Sequence, residues 1–92
     1  MEIEVPCKWV FADAFTKGQL QFVELRKEKW GNVMYFLGEI DSEVSDWRIF
    51  PNKISNLKDL VKALGKDETA WKSKIFSVYP TADKKKVVLT PL

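Results

Sequence analysis

Aromatic rings and cations that recur side by side are the residues of this chain best suited to chemistry. Trp30 stands beside Lys27, Lys29 and Gly31, Tyr35 falls in an apolar run, and Trp47 is followed by Arg48 and Phe50. Lys53, Lys72, Lys74 and the run Lys84-Lys85-Lys86 add positive charge. Solvent-facing rings stack on other planar groups, a contact of about 1–3 kcal/mol per ring where the partner is a base. Ammonium and guanidinium groups neutralise phosphate. A platform of Tyr35 with Trp47 or Phe50, bordered by Arg48, would suit a flexible polyanion. Each feature also has a simpler reading: large rings are more often buried than used, and three lysines at a hairpin tip keep a strand edge soluble.

Other chemistries are poorly served. There is no histidine, so imidazole acid/base catalysis and His metal ligands are excluded. Cys7 is the single cysteine, which rules out an intrachain disulfide and a Cys-based zinc site; it reads as a small hydrophobe. No base is placed beside a nucleophile by a recognisable motif, and no glycine-rich phosphate loop is present. A non-enzyme without cofactor or metal is the expectation. Glu39, Asp41, Glu43 and Asp46 form an acidic cluster, but the glycine and terminal glutamate of a calcium loop are missing. A solvated hairpin that repels phosphate explains that cluster better. Net charge is only +2, yet residues 1–50 carry six Lys/Arg against nine Asp/Glu, and residues 51–92 carry nine against four. The halves are therefore −3 and +5, so a basic surface can form in the second.

These groups have to be held by one small domain spanning residues 1–92, since the chain is too short for two cores. Leu20–Leu25 reads as a first strand after the turn at Gly18, Val33–Leu37 as a second, and Asp46–Phe50 as a third that Pro51 ends. Gly38–Ser45 reads as a turn-rich acidic connection. Leu57, Leu60, Val61 and Leu64 fall at i, i+3, i+4 and i+7, an apolar helical stripe with Ser55 or Asn56 as N-cap and Gly65 as stop. Trp71 is expected to close one end of the core. Ile75–Tyr79 and Lys86–Thr90 read as closing strands around a lysine-rich loop. Five strands with one helix between the third and fourth predict a mainly β, OB-fold-like barrel; an open α+β roll is the alternative. Within residues 1–15, Lys8–Phe11 reads as an extra edge strand. On strand two, Val33, Tyr35 and Leu37 share one face and Met34 with Phe36 the other, with Met34, Phe36 and Ile49 favoured inward. The acidic, alternating N-terminus is unlike a signal peptide and no apolar stretch reaches membrane length, so an intracellular (cytoplasmic) protein without membrane contact is expected.

The stretch from Gly18 to Leu92 resembles a group of small virus- and plasmid-associated proteins with an OB-like core. The residues that carry the resemblance are Phe50-Pro51-Asn52-Lys53, the Leu57–Leu64 helix, Gly65-Lys66-Asp67-Glu68-Thr69-Ala70-Trp71, Lys72-Ser73-Lys74, and Val87–Leu92 with Pro91 near its end. The Gly-to-Trp spacing is the most specific element. Ser73 stands where a glycine is typical, and the spacing from Asn52 to the helix is longer by a residue. Members of the group are thought to bind single-stranded nucleic acid. The resemblance implies single-stranded DNA as partner, with RNA as the alternative ligand. Contacts are then expected at Lys27, Lys29, Trp30, Tyr35, Trp47, Arg48, Lys53, Lys72, Lys74 and Lys84–Lys86. A protein-interaction module on the same fold, recruiting a protein partner or a second copy, is the competing expectation.

Overall fold

Apolar residues at every second position run through the middle of the chain, and they line one face of a single curled sheet. The computed structural model describes residues 7–29 and 31–92. Its strands are β1 (Cys7–Trp9), β2 (Gly18–Glu28), β3 (Gly31–Ile40), β4 (Glu43–Ile49), β5 (Ile75–Pro80) and β6 (Val87–Pro91), with helix α1 (Leu57–Leu64) between β4 and β5. The sheet order is β1-β4-β3-β2-β5-β6. Strands β2 to β6 are the five expected ones, and they curl into a half-barrel with the connectivity of an OB-like fold. The extra edge strand begins one residue before Lys8 and lies parallel to β4, with Trp9 beside Arg48.

The central strands are longer than their apolar runs. The segment expected to be a loop from Gly38 to Ser45 is mostly β-hairpin, and only Asp41 and Ser42 turn, at φ 49° and 70°. Acidic residues at spacing two face solvent along a strand, so charge there does not end the ladder. Along β2, Phe22 pairs with Phe36 and Glu24 with Tyr35, which leaves Val23 as a bulge. This bend takes β2 from pairing with both β3 and β5 to pairing with β3 alone. At Gly38, a Cβ would sit 2.2 Å from the Gln19 carbonyl oxygen, so only glycine permits this approach of β3 to β2.

Leu20, Phe22, Met34, Phe36, Ile40, Ile49, Phe76, Val78, Val87 and Leu89 fill the concave side, joined by Leu60 of α1 and by Trp71. Leu57, Val61 and Leu64 complete the helical stripe against that core, while Lys58, Asp59 and Lys62 are exposed. Gly65 ends the helix with φ 90°. Ser73 adopts φ 66°, the conformation that explains a preference for glycine at this turn.

The barrel seam is closed by a side chain. Ile54 makes a parallel bridge to Val87, and the Ser55 N–H donates to the Val87 carbonyl at 2.8 Å. Two residues along β6, the Leu89 N–H donates to Asn56 Oδ1 at 3.1 Å and Asn56 Nδ2 donates to the Leu89 carbonyl at 2.6 Å. The carboxamide thus stands in for a peptide group of the missing strand. Asn56 is the N-cap residue of α1, one of the two expected, but its side chain makes no cap bond because it is engaged with Leu89. The next edge-facing position, Pro91, has no N–H to offer, so this side of β6 is closed to further pairing.

Candidate functional site

Period-two alternation places Tyr35, Leu37 and Glu39 of β3, with Asp46 and Arg48 of β4, on the convex face of the sheet, opposite the core. Val33 shares that parity but is buried. At one end of this face Trp9 and Phe50 stack, with centroids 4.7 Å apart and planes 25° apart. The Arg48 guanidinium lies over Trp9 at 4.5 Å. Beside them Tyr35 pairs with Arg48 on one side and Glu24 on the other. Arg26, two residues further along β2, lies over the Tyr35 ring at 4.9 Å and ion-pairs with Glu24. The hydrogen bond to Glu24 and that carboxylate's charge hold the guanidinium more firmly protonated than usual. The Tyr35 hydroxyl donates to Glu28 at 3.2 Å.

No protein-family model, curated protein or solved structure matches this chain.

The sequence-predicted residues divide into three places. Tyr35 and Arg48 share the convex face, half-buried. Trp47 points the other way: it is 6 % exposed, lies in the core and donates its indole N–H to the Gly38 carbonyl at 3.1 Å. It offers no stacking surface, because it shares parity with Ile49. Trp30 lies outside the described residues. Lys27 and Lys29 are exposed at the far end of the β2–β3 hairpin. Lys53 sits in a 3₁₀ turn, Pro51–Lys53, that leaves β4 directly after Phe50. The Ile54–Val87 bridge joins the residue after Lys53 to the residue after Lys86, which brings the backbone at Lys53 toward the Lys84–Lys86 tip. Lys72 and Lys74 precede β5, whereas Lys84–Lys86 follow it. The length of that strand, about 20 Å, separates the two.

Arg26 and Trp9 were not expected at the site. Arg26 falls in a charged run that reads as a connection, but Glu24, Arg26 and Glu28 recur at spacing two, the signature of one strand face. Trp9 has the weaker signal of a short alternating segment. Toward the acidic hairpin end, away from the ring cluster, the same sheet face forms an open groove of about 950 Å³, lined by Gln19, Gln21, Glu39, Val44, Ile75 and Leu92 among others.

The acidic hairpin serves the fold. Asp41 accepts the backbone N–H groups of Thr16 and Lys17, and the Thr16 bond is the main reason its carboxyl lies below the ordinary 3.8. Glu43 ion-pairs with Lys8. Among the described residues no group of three potential ligands could hold a metal ion, and no helix is long and apolar enough to cross a membrane. A carboxyl with a lowered folded-state pKa contributes stability that is complete above its unfolded value and fades as pH falls through the folded one. Asp41→Asn is thus expected to melt below the parent at about pH 7, with the gap closing on acidification below 3.8. Thermal melts across that range check it; a gap independent of pH would mean the charge plays no part.

Proposed function

We propose that this protein binds single-stranded DNA in a sequence-tolerant way, by stacking on the convex face of β3 and β4 and by phosphate contacts from neighbouring cations. The observation that carries this reading is the continuity of suitable groups. Tyr35, Arg48, Trp9 and Phe50 share one end of the face, and Lys53, three residues after Phe50, is next to Ile54, whose bridge to Val87 leads to the lysine tip. An extended strand laid across these groups meets rings that can stack on its bases and ammonium groups that can neutralise its phosphates. The resemblance of residues 18–92 to OB-like proteins thought to bind single strands supports the same ligand. Glu39, Asp41, Glu43 and Asp46 mark the end of the face that a polyanion avoids.

Changing Lys84, Lys85 and Lys86 together to alanine is the test. If each neutralises one phosphate, the slope of log K against log salt becomes shallower by about 2, at roughly 0.7 per phosphate on a single strand. Anisotropy titrations of a labelled oligonucleotide measure it. Lys72→Ala with Lys74→Ala, at the other end of β5, is expected to change the slope less. An unaltered slope in the triple variant would remove the lysine tip from the path.

A second reading has its own support. Leu37, Val44, Ile75 and Leu92 are exposed on the convex face, Val44 and Leu92 at 72 % each, beside the groove. Such a patch suits a protein-interaction module. Tryptophan emission separates the two: with Trp47 and Trp71 buried, quenching by an oligonucleotide at low salt reports Trp9 or Trp30, and a module that binds only protein gives none.

A further inference from the structure

We infer that Arg26, held over Tyr35 and flanked by Glu24 and Glu28, is a base-stacking platform that favours bases carrying an exocyclic amino group, cytosine above all, over thymine. This inference rests on the single-strand reading and adds a preference at one position along an otherwise tolerant path.

Three observations combine. First, the Arg26 guanidinium is fixed from two sides: its Nε donates to Glu24 Oε1, and its Cζ lies over the Tyr35 ring, 4.9 Å from the centroid. Its side chain nevertheless remains 58 % exposed. A guanidinium lying on a ring presents a planar, cationic surface to solvent, and arginine planes are established stacking partners for unpaired bases. Second, lysine cannot do this, because its ammonium is a compact point charge with no plane. Third, the margin of the platform is acidic. Glu24 pairs directly with Tyr35 across the ladder, and Glu28 accepts from the Tyr35 hydroxyl at 3.2 Å.

Carboxylates beside a stacked base select by hydrogen-bonding sense. A carboxylate is acceptor-only. The amino group of cytosine donates to it, whereas the corresponding position of thymine is a carbonyl that also only accepts. Phosphates are disfavoured near these carboxylates, so the strand is oriented with its bases over Arg26 and its backbone toward Arg48, which pairs with the far side of Tyr35. Tyr35→Phe should weaken the preference mildly by freeing Glu28 from the hydroxyl.

The experiment compares labelled dC and dT oligonucleotides of about 15 nucleotides at neutral pH, a length that covers one such domain. The expected result is about five- to tenfold tighter binding of dC by the parent. That ratio should fall close to one in a Glu24→Gln, Glu28→Gln double variant, because an amide donates as well as accepts. Arg26→Lys should weaken both oligonucleotides several-fold despite the retained charge. Thermal melts confirm folding, and since Glu28 is half-buried at the end of β2 and outside the core, Glu28→Gln alone keeps the ratio measurable if another variant is unstable. Equal binding of dC and dT, tighter binding of dT, or a dC preference that survives the double variant would overturn the inference while leaving single-strand binding intact. If neither oligonucleotide binds, both proposals fall.

Discussion

Replacing Trp71 by alanine is expected to cost about 3–5 kcal/mol of folding stability, the range for truncating a buried Trp or Phe. The ring is 4 % exposed and lies 5.9 Å from both Phe22 and Phe76, so it joins the bulged segment of β2 to β5. Its indole N–H donates to the Gly65 carbonyl at 2.9 Å, which ties the end of α1 to the same cluster. A domain of this size has about 5–15 kcal/mol in total, so the loss takes a large part of it and lowers the melting temperature by about 15–30 °C. Trp71→Phe separates the two contributions. It keeps a ring in the cluster but gives up the bond to a carbonyl at an exposed glycine and part of the indole volume, so a loss smaller than that of Trp71→Ala, about 1–3 kcal/mol, is expected from it. Urea unfolding of both variants measures this. A Trp71→Ala variant within 1 kcal/mol of the parent would mean that the cluster re-packs around the gap.

The same tryptophan shows what sequence patterns convey. Its place at the end of the core was legible, because a large ring next to an amphipathic helix and ahead of a β-rich run has few other places to go. The helix was legible too: Leu57, Leu60, Val61 and Leu64 match one period and Gly65 stops it. Harder was the facing of β3, where Val33 and Tyr35 share a parity with Leu37 and both faces are apolar. Trp47 was resolvable in principle, since an inward Ile49 two residues on requires Trp47 to be inward as well. Arg26 was obscured by its charged neighbours, although strand periodicity continues through Glu24, Arg26 and Glu28. The seam could not be read at all. It depends on a carboxamide meeting a strand 33 positions away, and no local pattern reports such a contact.

That seam supplies the second large effect. Asn56→Ala removes both partners of Leu89 at once, leaving an N–H and a carbonyl of β6 unanswered in a part-buried setting. At about 1–3 kcal/mol for each unsatisfied group, with water recovering part, the expected loss is about 2–4 kcal/mol. Asn56→Asp makes the mechanism visible. Its carboxylate still accepts from the Leu89 N–H but has no donor for the Leu89 carbonyl, and two acceptors then face each other. Protonation restores a donor, so the folded state binds that proton more tightly than the unfolded chain does. The substituted carboxyl therefore has a raised folded-state pKa, and by linkage the variant gains stability relative to the parent as pH falls through it. The expected signature is a deficit at about pH 7 that narrows toward pH 4, because the introduced carboxyl gains stability on protonation where the native Asp41 carboxyl loses it. Amide hydrogen exchange at Leu89 reports the same event locally, with protection lost in Asn56→Ala and largely kept in Asn56→Asp. If Asn56→Ala and Asn56→Asp were equally stable at every pH, the carboxamide would be filling space at the barrel seam and not completing its hydrogen bonds.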